Sequence, residues 1–97
     1  MIKHVVFLKF KPSTTKDQIE LLRKGFEALP GLIPEIRSYE FGLDVVRSER
    51  SFDYGLVSAF DDLDSLQRYS ANPEHQKVLK HIREISDSIK SVDFEVK

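Results

Sequence analysis

The spacing of apolar and polar positions changes period several times along the chain, and each change marks an element. Between Lys3 and Lys11, the positions His4, Val6, Leu8 and Phe10 alternate with Val5 and Phe7, which predicts a strand. Both faces of that strand are largely apolar, so both need cover. Helices can cover one face, and a second subunit is the natural cover for the other. Pro12-Ser13-Thr14 ends the strand, and Thr15 followed by Gln18 fits a capping box. Ile19, Leu22, Phe26 and Leu29 then recur at helical spacing, opposite Glu20, Arg23, Lys24 and Glu27. Gly25 inside this helix costs about 1 kcal/mol against Ala. Pro30-Gly31 is expected to stop the helix.

After an apolar connection, Leu32 to Ile36, a second strand is expected over Arg37–Val46, with Tyr39, Phe41, Leu43 and Val45 on one face. A polar loop, Arg47 to Ser51, leads to a third strand over Asp53–Phe60, again apolar on both faces. Asp61, Asp62 and Asp64 open the next helix, where its dipole favours carboxylates. Leu63, Leu66 and Tyr69 are expected on its inner face. Asn72-Pro73 ends that helix and can start another, Asn as N-cap and Pro at the first helical position. Val78, Leu79, Ile82 and Ile85 mark the next inner face, and Val92–Val96 is a short last strand. This order predicts one α+β domain over residues 1–97, a ferredoxin-like βαββαβ arrangement with helices on one face of an antiparallel sheet. The first and third strands should be central. The second and fourth should flank them and be more polar on one face, as Glu40, Asp44, Asp93 and Glu95 suggest.

Composition narrows the functions available. The 97 residues carry 15 Lys and Arg against 16 Asp and Glu, a formal net charge of -1. That balance gives no electrostatic case for nucleic acid or an anionic membrane as partner. No cysteine is present, so thiolate nucleophiles, thiolate metal sites and disulfides are excluded, and a cytoplasmic setting is expected. No apolar run approaches the roughly 20 residues of a membrane span, and the first residues lack a signal-peptide layout. A phosphate-binding Gly-rich loop and a GxSxG elbow are missing. Arg47 and Arg50 on a polar loop read as solvated.

Three histidines remain. His4 shares a strand face with Val6, Leu8 and Phe10, so it is either a hydrogen-bonded core histidine or a functional one. His75 follows the Asn72-Pro73 break, where it can brace the loop or act as a base. An apolar site at His4 and a helix N-terminus at His75 both favour neutral imidazole, which accepts a proton. His81, on the side of Lys77 and Lys80, is expected to be solvated. His75 and His81 are six apart, on different helix faces, and do not form a metal pair. A Tyr at the position of Tyr69 is more often core than catalyst.

Residues Ile2 to Lys11, the turn Leu29-Pro30-Gly31-Leu32-Ile33-Pro34, the run Tyr69-Ser70-Ala71-Asn72-Pro73-Glu74-His75 and the closing Val92-Asp93-Phe94 together resemble the stress-responsive A/B barrel domain (Dabb) family. The likeness runs over nearly the whole chain. It implies a homodimer whose two sheets form an α/β barrel, and a pocket between sheet and helices. A plant polyketide cyclase of that family has a proposed acid/base pair at the positions of Tyr69 and His75, and a histidine at that of His4. Carried over, its pocket is lined here by His4, Val6, Leu8, Leu22, Phe26, Leu56, Tyr69, His75, Val78 and Ile82. Phe26 stands where the cyclase has a Tyr, and Asn72 where it has a His, so the plant substrate does not carry over. Plant members can also hold magnesium on backbone carbonyls that match Pro30, Ile33 and Ile36; no other cofactor is implied.

Three functions fit these residues. One is a dimer that binds an apolar small molecule or serves in stress tolerance. Another is a cofactor-free enzyme of aldol-type proton chemistry, like a polyketide cyclase, with His75 as base and Tyr69 polarising a carbonyl. The third, a cofactor-independent monooxygenase, has only the fold in its favour.

Overall fold

A computed structural model describes residues 1–97. Its elements are β1 (Ile2–Phe10), α1 (Lys16–Leu32), β2 (Ser38–Leu43), β3 (Tyr54–Phe60), α2 (Leu63–Ala71), α3 (Pro73–Ile85) and β4 (Ser86–Glu95). The four strands form one antiparallel sheet in the order β2-β3-β1-β4. The two strands with apolar residues on both faces are therefore central, as their pattern requires.

Register decides which side chains meet the helices. Ile2, Val6 and Leu8 of β1 lie opposite Phe60, Leu56 and Tyr54 of β3. All six belong to one core with Leu22, Phe26 and Leu29 of α1, Leu66 and Tyr69 of α2, and Ile82 and Ile85 of α3. All three helices thus pack on the same face. The molecule measures 36 × 27 × 17 Å, thin enough for only one helical layer on one sheet. On the other face Val57, Val5 and Val92 lie side by side across β3, β1 and β4, flanked by Phe7 and Phe94. Phe94 is 48% exposed and Phe7 39%.

The helix starts follow local rules. Gln18 N–H donates to Thr15 Oγ1 at 3.2 Å, and Thr15 N–H to Gln18 Oε1 at 2.8 Å, completing the capping box. Asp62 caps α2 through Ser65 N–H at 2.8 Å. Gly25 allows α1 and α3 to approach closely, for a Cβ there would sit 3.2 Å from Val78 Cγ2.

Several boundaries differ from expectation. Helix α1 does not stop at Pro30-Gly31 but runs to Leu32, with Ile33 N–H bonding Leu29 O at 2.9 Å. Pro30 removes only its own N–H donor in the last turn. The effective stop is Pro34, which has no N–H for the Pro30 carbonyl. Strand β2 ends at Leu43 rather than Val46, because the Asp44 carboxylate accepts Arg47 N–H at 2.6 Å and turns the chain. Leu63 is exposed, not inward: as the first helical residue after Asp62 it lies outside the core stripe of Leu66 and Tyr69. Strand β4 begins at Ser86, not Val92, its polar first half held by pairing with β1.

Candidate functional site

Strand β1 places His4 on the covered face, opposite Asp93 of β4. His4 Nδ1 bonds Asp93 Oδ1 in a short contact. A carboxylate accepts, so Nδ1 carries the proton and Nε2 is left without a protein partner. Tyr69 comes from the inward stripe of α2, and its ring packs on Phe60 with centroids 4.8 Å apart. Its hydroxyl lies 2.7 Å from that of Tyr39, on the covered face of β2.

His75 owes its position to Asn72. That residue ends α2 and caps α3 through Glu74 N–H at 2.9 Å, with Pro73 at the first turn. The tight reversal lays the imidazole against Tyr69, ring centroids 4.4 Å apart. His75 Nδ1 donates to the Ser70 carbonyl at 3.1 Å, which again leaves Nε2 free.

Burial sets the protonation states. It pushes the His75 pKa below its ordinary value, against the opposing Ser70 bond and with smaller help from the charges of His4 and Arg83. His75 is therefore neutral at pH 7, with Nε2 as its basic atom. Burial pushes Tyr69 up to about 12, partly offset by the bond to Tyr39, and pushes Tyr39 up as well. Both phenols keep their protons.

A cavity of about 170 Å³ lies between the sheet and the helices. Of the ten residues expected to line it, His4, Val6, Phe26, Leu56, Tyr69, His75 and Ile82 do so. Leu8 and Leu22 are sealed in the core, at 1% and 0% exposure, and Val78 packs against Gly25 instead. Ser70, Leu79, Ile89 and Ser91 complete the wall. Ile89, Ser91 and Asp93 share one face of β4, so an earlier start of that strand would have pointed to all three. Tyr39 was visible as an inward residue of β2, but only the packing of α2 over the sheet pairs it with Tyr69. His81 is not simply solvated: its Nε2 lies 2.9 Å from the Gln18 carbonyl and ties α3 to α1.

A larger hollow, about 620 Å³, lies at the end of the β2–β3 hairpin among Leu43, Val45, Arg50, Phe52 and Phe7. It is broad and open, and it borders the bare face of the sheet, away from the histidines. Arg47 is held there by Asp53 at 2.8 Å.

The carbonyls of Pro30, Ile33 and Ile36 are a poor magnesium site. Ile33 O accepts Ile36 N–H at 3.3 Å, and Glu35, the carboxylate of this stretch, is paired with Arg68 at 3.1 Å. Protein-held magnesium ordinarily has at least one carboxylate ligand. The set does not fit a resident ion, and no chemistry is routed through it.

The family model of the stress responsive A/B barrel domain matches residues 2–96. The chain belongs to that family. Similar proteins include the uncharacterized protein SCO4036 of Streptomyces coelicolor, 33% identical over 78 residues, covering 78% of this chain and 80% of that one. Olivetolic acid cyclase of Cannabis sativa is 29% identical over 76 residues, covering 76% of this chain and 75% of the cyclase. A dimeric ferredoxin-like protein of unknown function from Thermobifida fusca superposes with a TM-score of 0.90 at 27% identity, covering 98% of this chain and 90% of that chain. The ferredoxin-like α+β fold is thus shared with dimeric relatives, and the family is one of largely unknown function. No helix is long and apolar enough to cross a membrane.

Proposed function

We propose that this A/B barrel protein is a homodimer that binds a small, mostly apolar molecule between its sheet and helices. The observation that carries the binding reading is the cavity itself, with two imidazoles on a wall that is otherwise largely aliphatic and aromatic. The homodimer is supported by the bare apolar sheet face and by dimeric structural relatives. A role in stress belongs to the same proposal and is supported by the Arabidopsis relatives named for stress response. So does a cytoplasmic location, which rests on the cysteine-free composition. Mass spectrometry of the purified protein under native conditions tests the binding reading. A bound small molecule that is released on denaturation is expected. A ligand-free dimer that takes up nothing from a lysate extract would refute it.

A second reading, cofactor-free proton transfer with His75 as base, is favoured by one specific feature. His75 is neutral, its Nε2 has no protein partner, and it lines the same cavity as Tyr69. The similarity to a cyclase points the same way. Against it, Tyr69 is 1% exposed and its hydroxyl is already paired with Tyr39, so the acid half of the pair is not free. His75→Ala should abolish turnover of a true substrate with little change in melting temperature. A large loss of stability would instead mark His75 as a brace of the α2–α3 turn.

A further inference from the structure

The hydrogen bonds around the two cavity imidazoles restrict what the cavity accepts. His4 commits one ring N–H to Asp93 and His75 commits one to the Ser70 carbonyl. Burial keeps His75 neutral, with a single N–H, so its ring then offers only the lone pair of Nε2. Neither Nε2 is sealed off, because Ser86 Oγ alone is a buried side-chain N or O atom without a partner. His75 therefore gives the cavity an accessible acceptor in a mostly apolar wall.

Size and charge narrow the choice further. An apolar cavity of about 150 Å³ takes up one benzene, and this one holds about 170 Å³. No Lys or Arg lines it, and Asp93 stands behind His4. A ligand carboxylate would lose its water, find no unpaired cation and face a like charge. Burial keeps His75 from supplying that cation at neutral pH.

We infer that the cavity selects an uncharged ligand of about one ring that brings its own hydrogen-bond donor, a phenol or an alcohol. This rests on the reading of the cavity as a ligand site and adds the polarity and size of what fills it.

The test compares phenol, toluene and benzoate, three one-ring probes, on the wild-type protein at pH 7.5. Calorimetry gives affinity, and ring-proton NMR signals of His4 and His75 report the place of binding. Phenol should bind about tenfold more tightly than toluene, the gain of roughly one hydrogen bond, and should shift both histidine signals. Benzoate should not bind. In His75→Leu the preference of phenol over toluene should shrink severalfold while toluene binding persists. Equal affinity for phenol and toluene, or benzoate binding as tightly as phenol, overturns the donor preference but leaves the cavity as a ligand site. Failure of both phenol and toluene to bind overturns the cavity reading itself, and this inference with it.

Discussion

The two faces of one sheet are solved differently. On the face beneath the helices the large residues are sealed: Leu8, Leu22, Phe26 and Tyr69 are at most 1% exposed. On the other face Val57, Val5 and Val92 form an apolar row with Phe7 and Phe94, and no helix lies over it. The edge strands show the same division in opposite senses. Strand β2 turns Tyr39 and Phe41 toward the helices and Glu40 outward, whereas β4 turns Ser91 and Asp93 toward the helices and Val92 and Phe94 outward. The helical layer therefore packs most tightly over β3 and the far end of β1, around Leu8, Tyr54 and Phe60. Toward β4 it leaves the gap that becomes the cavity, floored by His4 and Val6 of β1, Leu56 of β3 and Ile89 and Ser91 of β4, with Asp93 behind His4. One face is complete and carries the site, and the other is complete only against something else.

The strongest way to break this contrast is a charge on the bare face. Phe7 packs on Phe52 with ring centroids 5.8 Å apart, and a two-fold dimer would bury it twice. Phe7→Asp removes two aromatic contacts of about 2 kcal/mol each and adds two unpaired carboxylates to the interface. Dimer affinity should fall about a thousandfold or more. Analytical ultracentrifugation at micromolar concentration should show wild-type dimers and variant monomers. A wild-type monomer, or a variant that still dimerises, would mean that this face is not the interface.

This division was largely legible in the residues. The alternation of β1 and β3, apolar on both faces, implied central strands and a face that one helical layer cannot cover. Capping at Thr15 and Asn72 followed from side chains that bond backbone within three positions. The less legible features depend on contacts between elements far apart in sequence. Ser86, Asp87 and Ser88 have little preference for a strand, and pairing with β1 holds them in one. Missing that half of β4 hid Ile89 and Ser91 from the expected cavity wall. Tyr39 and Tyr69 are 30 residues apart, and no local pattern links their hydroxyls. His4, Tyr69 and His75 were nominated by spacing and family likeness, and their common cavity is a property of the packed chain.

A smaller effect separates the covered face from solvent by titration. Folded His75 has a pKa below the 6.5 of a free histidine because it is buried. Below pH 6.5 the unfolded chain takes up this proton more readily than the folded one, so stability falls as the pH drops. The loss begins near 6.5 and levels off below the folded-state pKa; above 6.5 the group contributes no slope. The lowered carboxyls of Asp53, Asp61 and Asp62 act in the same direction only at lower pH, below the 3.8 of a free Asp. In urea unfolding at pH 7.5 and 5.5, wild type should lose more stability between the two values than His75→Gln. Equal losses would show that His75 is as well solvated in the folded protein as in the unfolded one.

The smallest expected effect probes how closely the helical layer is packed. Gly25 in the middle of α1 costs helix stability of about 1 kcal/mol relative to Ala. A Cβ there would meet Val78 Cγ2 at 3.2 Å, closer than an ordinary contact, so Val78 or α3 must yield a few tenths of an ångström. Val78 is β-branched and its side chain has little freedom to turn away within a helix. Gain and strain oppose each other, and Gly25→Ala alone should change stability by less than about 0.5 kcal/mol. Removing the obstacle separates the two. In a Val78→Ala background, Gly25→Ala should stabilise by about the full propensity difference of roughly 1 kcal/mol. Chemical denaturation of the four proteins of this cycle measures it. If Gly25→Ala is equally favourable in both backgrounds, the close approach of α1 and α3 does not depend on this glycine. If it is strongly destabilising in both, the backbone of α3 rather than the Val78 side chain is what the glycine accommodates.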